Sequence, residues 1–176
     1  TMQRRLVLLI FVVLVQLLIA TRALAATAPI SAEFGANIPP VAQQRLKNWL
    51  SNYKAPIASQ QFTSIHVIFG NATSGFQVIP RDEIAALPSE GFIVRSAISS
   101  STLILVANGK GSAAASLHSF LRYYDSGALY AAYYVVQELL NIVAFAHPLK
   151  PTLNNATELQ RTISDNMLPI NIREQP

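Results

Sequence analysis

Gly91-Phe92-Ile93-Val94-Arg95-Ser96-Ala97-Ile98, then Ser99-Ser100-Ser101, then Thr102-Leu103-Ile104-Leu105-Val106-Ala107 is the stretch that decides the fold. Two runs rich in β-branched and aromatic residues flank three serines, and a short polar break between such runs reads as an antiparallel hairpin. The second run is almost wholly apolar. A strand with one solvated face alternates apolar and polar residues, so this one is predicted to lie centrally, covered on both faces.

Working outward, Ile65-His66-Val67-Ile68-Phe69 has the same character, stops at Gly70-Asn71, and reads as a buried strand. Phe76 to Ile79 reads as a second short strand or an extended loop, and Pro80 to Leu87 as one or two helical turns stopped by Pro88. Val41, Ala42, Leu46, Trp49, Leu50 and Tyr53 keep helical spacing behind Pro39-Pro40, where a first-turn proline forfeits no hydrogen bond. Thr27 to Pro40 is rich in Ala and Pro, shows no period, and reads as a linker. Downstream, Asn108-Gly109-Lys110-Gly111-Ser112 breaks the strand, and Leu117, Phe120, Leu121 and Tyr124 have the spacing of a short helix. Ala128 to Leu140 is the clearest helix: Leu129, Ala132, Tyr133, Val136 and Leu140 share a stripe, Asp125-Ser126-Gly127 can cap it, and Asn141 can end it. Val143 to Ala146 returns as a strand before Pro148. Met167 to Arg173 reads as a last extended segment, kept from a central position by Pro169, and nothing after Thr152 is expected to close a domain. The predicted class is therefore α/β (α+β), a small mixed sheet of about four strands with helices on one face, preceded by a signal-peptide helix.

The chain has 176 residues, 51% hydrophobic and 12% charged, too apolar for a disordered polypeptide. Much of the excess lies at the start, where Met2-Gln3-Arg4-Arg5 precedes an apolar run from Leu6 to Ala20 and a small-x-small site at Ala23-Leu24-Ala25. That order is a signal peptide covering residues 1–25, and a run broken by Gln16 is short for a span of roughly 20 residues. The alternative is an uncleaved anchor, in which case the protein is held at a membrane. Removing Arg4, Arg5 and Arg22 takes the formal charge from +4 to +1, so the basic balance belongs to the targeting segment and does not point to nucleic acid. A secreted chain with no cysteine must be held by a hydrophobic core, and thiolate chemistry is excluded. Asn71-Ala72-Thr73 and Asn155-Ala156-Thr157 are candidate glycosylation sequons, with Asn71 and Asn155 as acceptors in a eukaryotic secretory setting.

No catalytic set emerges from spacing. Gly109-Lys110-Gly111-Ser112 follows a strand, but it lacks the first glycine and the Lys-Ser adjacency of a phosphate loop and reads as a strand-ending turn. His66, His118 and His147 fall in three separate elements without metal-ligand spacing, and His66 reads as a packed, hydrogen-bonded strand residue. No G-x-S-x-G elbow occurs, Asp82-Glu83 reads as a solvated helix start, and no carboxylate pair has the arrangement of a glycosidase acid and nucleophile. Tyr123, Tyr124, Tyr130, Tyr133 and Tyr134 cluster at helical spacing, which favours packing over sugar stacking. No catalytic residue, metal or cofactor is assigned.

Three segments carry a family resemblance: Glu90-Gly91-Phe92-Ile93-Val94-Arg95-Ser96; Leu103-Ile104-Leu105-Val106-Ala107-Asn108-Gly109; and Gly127-Ala128-Leu129-Tyr130-Ala131-Ala132-Tyr133 leading into Gln137-Glu138-Leu139-Leu140. Together they resemble the N-terminal non-catalytic α/β domain that precedes the catalytic barrel of secreted alpha-glucuronidases and beta-N-acetylhexosaminidases. Phe145-Ala146-His147-Pro148-Leu149-Lys150-Pro151-Thr152 is similar to the exit toward that barrel. Ala131 stands where the family often has glycine, and the Lys110 to Asp125 connection is longer than usual. The resemblance implies a hexosaminidase-like domain over residues 41–152, a linker over 26–40, and an extension over 153–176 leading toward a barrel that this chain lacks. Thr1 before Met2 fits a piece of a longer reading frame. By this resemblance the chain would be an accessory domain of a secreted glycoside hydrolase, its partner a catalytic barrel in cis. The alternative is a stand-alone carbohydrate-binding or interaction module whose partners are glycans.

Overall fold

The computed structural model describes residues 26–51, 53, 55–111, 126–140 and 163–174. The class is mixed α/β, built on two sheets. The larger has five strands in the order β2 (Ile30–Phe34), β4 (Ser64–Phe69), β6 (Thr102–Gly109), β5 (Phe92–Ser99) and β8 (Asn171–Glu174). β2, β4 and β6 run parallel, β5 is antiparallel to β6, and β8 is antiparallel to β5. The smaller sheet joins β1 (Ala26–Ala28), β3 (Ala55–Ala58) and β7 (Ile163–Ser164).

The predicted hairpin forms from Phe92↔Gly109 to Ser99↔Thr102. Its turn places Ser100 and Ser101 at φ 48° and 61°, the left-handed pair that matches strand twist in a two-residue connection. β6 is the central strand. Alternate residues of a strand face opposite ways. On one side Leu103, Leu105 and Ala107 join Ile65, Val67 and Phe69 of β4 and Phe92 and Val94 of β5. On the other, Val106 joins Ile68 and Ile93.

The two longer helices cover the first face. α1 (Pro40–Ser51) buries Leu46 and Leu50. Another helix, Ser126–Tyr134, continues as a π-helical turn over Val135–Leu139, closed by Leu140 N donating to Val135 O at 2.9 Å. The small residues Ala128, Ala131 and Ala132, all fully buried, let this helix lie close to the sheet. Ala28, Ala55, Ile57 and Ile163 of the smaller sheet share this core. On the second face the described residues pack a 3-10 turn (Thr73–Gln77) and the short α2 (Arg81–Ala85), through Ile79, Ile84 and Leu87. The Ser126–Tyr134 helix is α3.

One backbone junction holds the hairpin to α3. Lys110 N donates to Gly91 O at 2.9 Å, and Gly127 N donates to Lys110 O at 3.1 Å. A β-carbon on Gly127 would fall 2.5 Å from both Gly91 O and Lys110 O, and one on Gly109 would fall 2.6 Å from Gly127 O. Only hydrogen fits between these chains.

Three expectations are corrected. Residues 26–40, read as a linker, supply β1 and β2, the latter paired from Ile30↔Ile65 to Phe34↔Phe69. Phe76 to Ile79 is not a strand: its start lies in the 3-10 turn, where Gly75 packs against Val106 and Ile68. The 153–176 stretch, read as an extension leaving the domain, returns to it. β7 pairs with β3, and β8 closes the sheet edge from Phe92↔Glu174 to Arg95↔Asn171. Pro169 precedes β8, which is an edge strand, as proline requires. The strand and helix expected at Val143 to Ala146 and Leu117 to Tyr124 lie outside the described residues, as does the signal peptide.

Two predictions follow from the packing. An alanine in place of a helical glycine ordinarily gains ~1 kcal/mol of helix propensity. Gly127→Ala instead loses about 3 kcal/mol, because the new methyl meets backbone that cannot rotate away; urea unfolding measures it, and a stabilised variant would contradict the junction. Tyr53, where α1 leaves, donates from its hydroxyl to Leu140 O at 2.6 Å. Burial pushes this phenol up to about 12. Its unfolded value is ~10, so its contribution is complete below pH ~10 and is lost as pH rises through about 12. Tyr53→Phe therefore costs ~1 kcal/mol at neutral pH and removes this part of the alkaline loss.

Candidate functional site

Because β2, β4 and β6 are parallel, their carboxyl ends lie side by side, and three loops leave the sheet together. Ligands of open α/β sheets bind in the crevice beyond such ends. Here a crevice of about 240 Å³ is lined by Asn37, Asn71, Phe76, Arg81, Asn108 and Lys110, among others.

Its floor is an asparagine network from the three strand ends. Asn71 N donates to Asn37 Oδ1 at 2.7 Å, and Asn37 N donates back to Asn71 Oδ1 at 3.3 Å. Asn37 Nδ2 donates to Asn108 Oδ1 at 3.4 Å, which also accepts from Gly109 N at 2.9 Å. Asn37 and Asn108 are 8% and 2% exposed, so these amides are structural as well as polar. Gly70, at φ 75°, turns β4 tightly enough for its neighbour to meet Asn37.

The walls are cationic. Arg81 stacks its guanidinium over Phe76, 4.3 Å from the ring centroid. Lys110 Nζ donates to Ala85 O and Leu87 O, both at 3.0 Å, fastening the end of α2. The nearby Glu83 faces away into a bidentate pair with Arg95, at 2.9 and 2.7 Å. Those hydrogen bonds hold the Glu83 carboxyl below its usual range, and Arg95 also donates to Val78 O and Asn171 Oδ1, tying α2 to edge strand β8.

A second polar group lies on the second face of the sheet, at β2 and β4. Ser31 Oγ is 2.7 Å from His66 Nδ1, His66 Nε2 is 3.7 Å from Glu33 Oε2, and Ser74 Oγ donates to Glu33 Oε2 at 2.7 Å. The residue types are those of a hydrolytic triad. Yet His66 and Glu33 have side chains 31% and 42% exposed, and none of the group lines the crevice. A nucleophile on an open, wet surface lacks the enclosed donors that stabilise a developing oxyanion. His66 is hydrogen-bonded, as the sequence suggests, but half-solvated on the sheet face.

Of the sequons, Asn71 is exposed at the crevice, its side-chain oxygen held by Asn37; Asn155 lies outside the described residues, as do His118, His147, Tyr123 and Tyr124. Tyr133 packs on Trp49 and Tyr134 on Phe92, at centroid distances of 6.2 and 5.7 Å, while Tyr130 is exposed. Among the described residues no group of three His, Asp or Glu could hold a metal ion, and no helix is long and apolar enough to cross a membrane. No family model, curated protein or solved structure matches the chain.

Sequence reasoning missed Asn37 and Asn108 as site residues, because their meeting depends on strand order rather than on spacing. Asn37→Ala strips the Asn71 amide of its acceptor and Asn108 of a donor; it lowers stability by about 2 kcal/mol in urea unfolding. Asn37→Asp keeps the acceptor for Asn71 N but turns a buried carboxylate oxygen toward Asn108 Oδ1, so it loses at least as much. An Asn37→Ala variant as stable as the unaltered chain would show that the network carries nothing.

Proposed function

We propose that this chain is a non-catalytic accessory unit of a secreted glycoside hydrolase, one that packs against a catalytic barrel carrying the chemistry. The supporting observation is where the three family-like segments meet. The first two are the strands of one hairpin and the third opens α3, and Gly91, Gly109 and Gly127, one from each, meet at a single backbone junction. Here the resemblance falls on Gly109 and Gly127, where a side chain cannot be accommodated, and on Gly91, whose carbonyl faces them, which is what a shared fold demands of sequence.

A stand-alone carbohydrate-binding module acting through the α3 tyrosines is the less favoured reading, because Tyr133 and Tyr134 pack against Trp49 and Phe92 instead of lining a groove. The targeting-type start, Arg4-Arg5 before Leu6 to Ala20, supports a secretory route, with membrane anchoring as the alternative if that segment is retained.

The test is to purify the native protein with an antibody to the described sheet and assay it on aryl N-acetyl-β-glucosaminide and on an aldobiouronic acid. Glycosidase activity should co-purify with peptides of this chain, while the recombinant 176-residue chain alone is inactive. Native material without activity, or a recombinant chain that hydrolyses either substrate, would sink the reading.

A further inference from the structure

We infer that the crevice at the carboxyl ends of β2, β4 and β6 is a binding site for a small ligand bearing an oxyanion, a phosphate or a carboxylate on a body about the size of one sugar ring. This does not depend on the accessory-domain reading.

The argument rests on which polar groups remain uncommitted. Asn108 is 2% exposed, and its Oδ1 already accepts from Gly109 N and Asn37 Nδ2. The Gly109 contact fixes the amide orientation, since a backbone N–H can only donate. Its amide N–H groups have no acceptor among the described residues, although the residue lines the crevice. Asn71 likewise commits its Oδ1 to Asn37 N and leaves its amide nitrogen open. Lys110 uses two of its three N–H donors on the carbonyls of Ala85 and Leu87, neither of which cancels its charge. Arg81 stacks on Phe76, a contact that fixes the guanidinium plane without occupying its N–H edge, and it has no ion pair among the described residues.

Among the described residues every uncommitted side-chain group is thus a donor, two of them cationic, and no acidic side chain lines the crevice. A neutral sugar presents hydroxyls that both donate and accept, so a donor-only wall suits it poorly. An oxyanion accepts at every lone pair and suits it well. Size narrows the class further: about 240 Å³ is below the ~300–1,000 Å³ of pockets for drug-sized ligands. Position agrees, because the carboxyl ends of parallel strands are where open α/β sheets take ligands.

Unglycosylated recombinant protein is titrated with inorganic phosphate, glucose 6-phosphate, glucuronate and glucose, following the backbone amides of Asn71 and Gly109 by NMR. Saturable shifts are expected with glucose 6-phosphate or glucuronate, and none with glucose. Whichever of the two binds tighter assigns phosphate or carboxylate as the preferred group. Arg81→Ala, a change at an exposed residue, should weaken binding about tenfold, a loss of one charge-assisted contact. Asn71→Asp, which puts a carboxylate at the mouth, should abolish it. Circular dichroism of both variants separates loss of binding from loss of fold. No saturable shift with any oxyanion at ~10 mM (a Kd too weak to matter), glucose binding as well as glucuronate, or an Arg81→Ala variant that binds unchanged would each overturn the assignment. None of these outcomes bears on the glycosidase assay above.

Discussion

The structure depends on the close approach of three backbones at Gly91, Gly109 and Gly127. The hairpin alone has one covered face. Its second layer comes from α3, and α3 reaches the sheet only because no β-carbon intervenes where Gly127 enters. The alanines that follow, at 128, 131 and 132, keep the helix axis close along its length. The cost of glycine in a helix, ~1 kcal/mol of propensity, is offset by burying Leu103, Leu105 and Ala107 of β6 beneath it.

Central placement of β6 has a second consequence. A strand paired on both sides and packed on both faces cannot shift register without exposing one apolar set, so Asn108 and Gly109 at its end are held in fixed positions. Asn37 and Asn71 then have a fixed partner to meet. The crevice inherits its rigidity from the core: its floor is an extension of β2, β4 and β6 rather than a separate loop structure.

What sequence could reveal follows from how locally each element is determined. The hairpin, β4, α1 and α3 each carry a full hydrophobic period within their own residues, and each stands close to where it was read. β2 and β8 do not. Ile30-Ser31-Ala32-Glu33-Phe34 is an edge strand, half-buried, and looks like a spacer among alanines and prolines until β4 is available to pair with it. β8 offers Ile172 among Asn171, Arg173 and Glu174, a pattern too polar to announce a strand, and its pairing with β5 is wholly non-local. The same reason hid the crevice. Asn37 lies 34 residues from Asn71 and 71 from Asn108, and only the parallel order of three strands brings them together. Lys110 was visible as part of a glycine-rich turn, but its meaning lies in Arg81 across the crevice, which no spacing rule connects to it.

The two polar groupings on this sheet differ in a way that bears on function. Ser31, His66, Glu33 and Ser74 contain donors and acceptors in balance, and they satisfy one another while standing partly in water. A closed network of that kind stabilises the β2–β4 edge and leaves little to offer a ligand. At the crevice the balance is broken: acceptors are consumed by the asparagine network, and donors and positive charge are left over. Among the described residues no buried side-chain donor is left unsatisfied, so the free donors of the crevice are ones that water reaches and that an oxyanion can take over from water. It is therefore at the carboxyl ends of the parallel strands, and not at the triad-like surface, that this protein offers a match to another molecule.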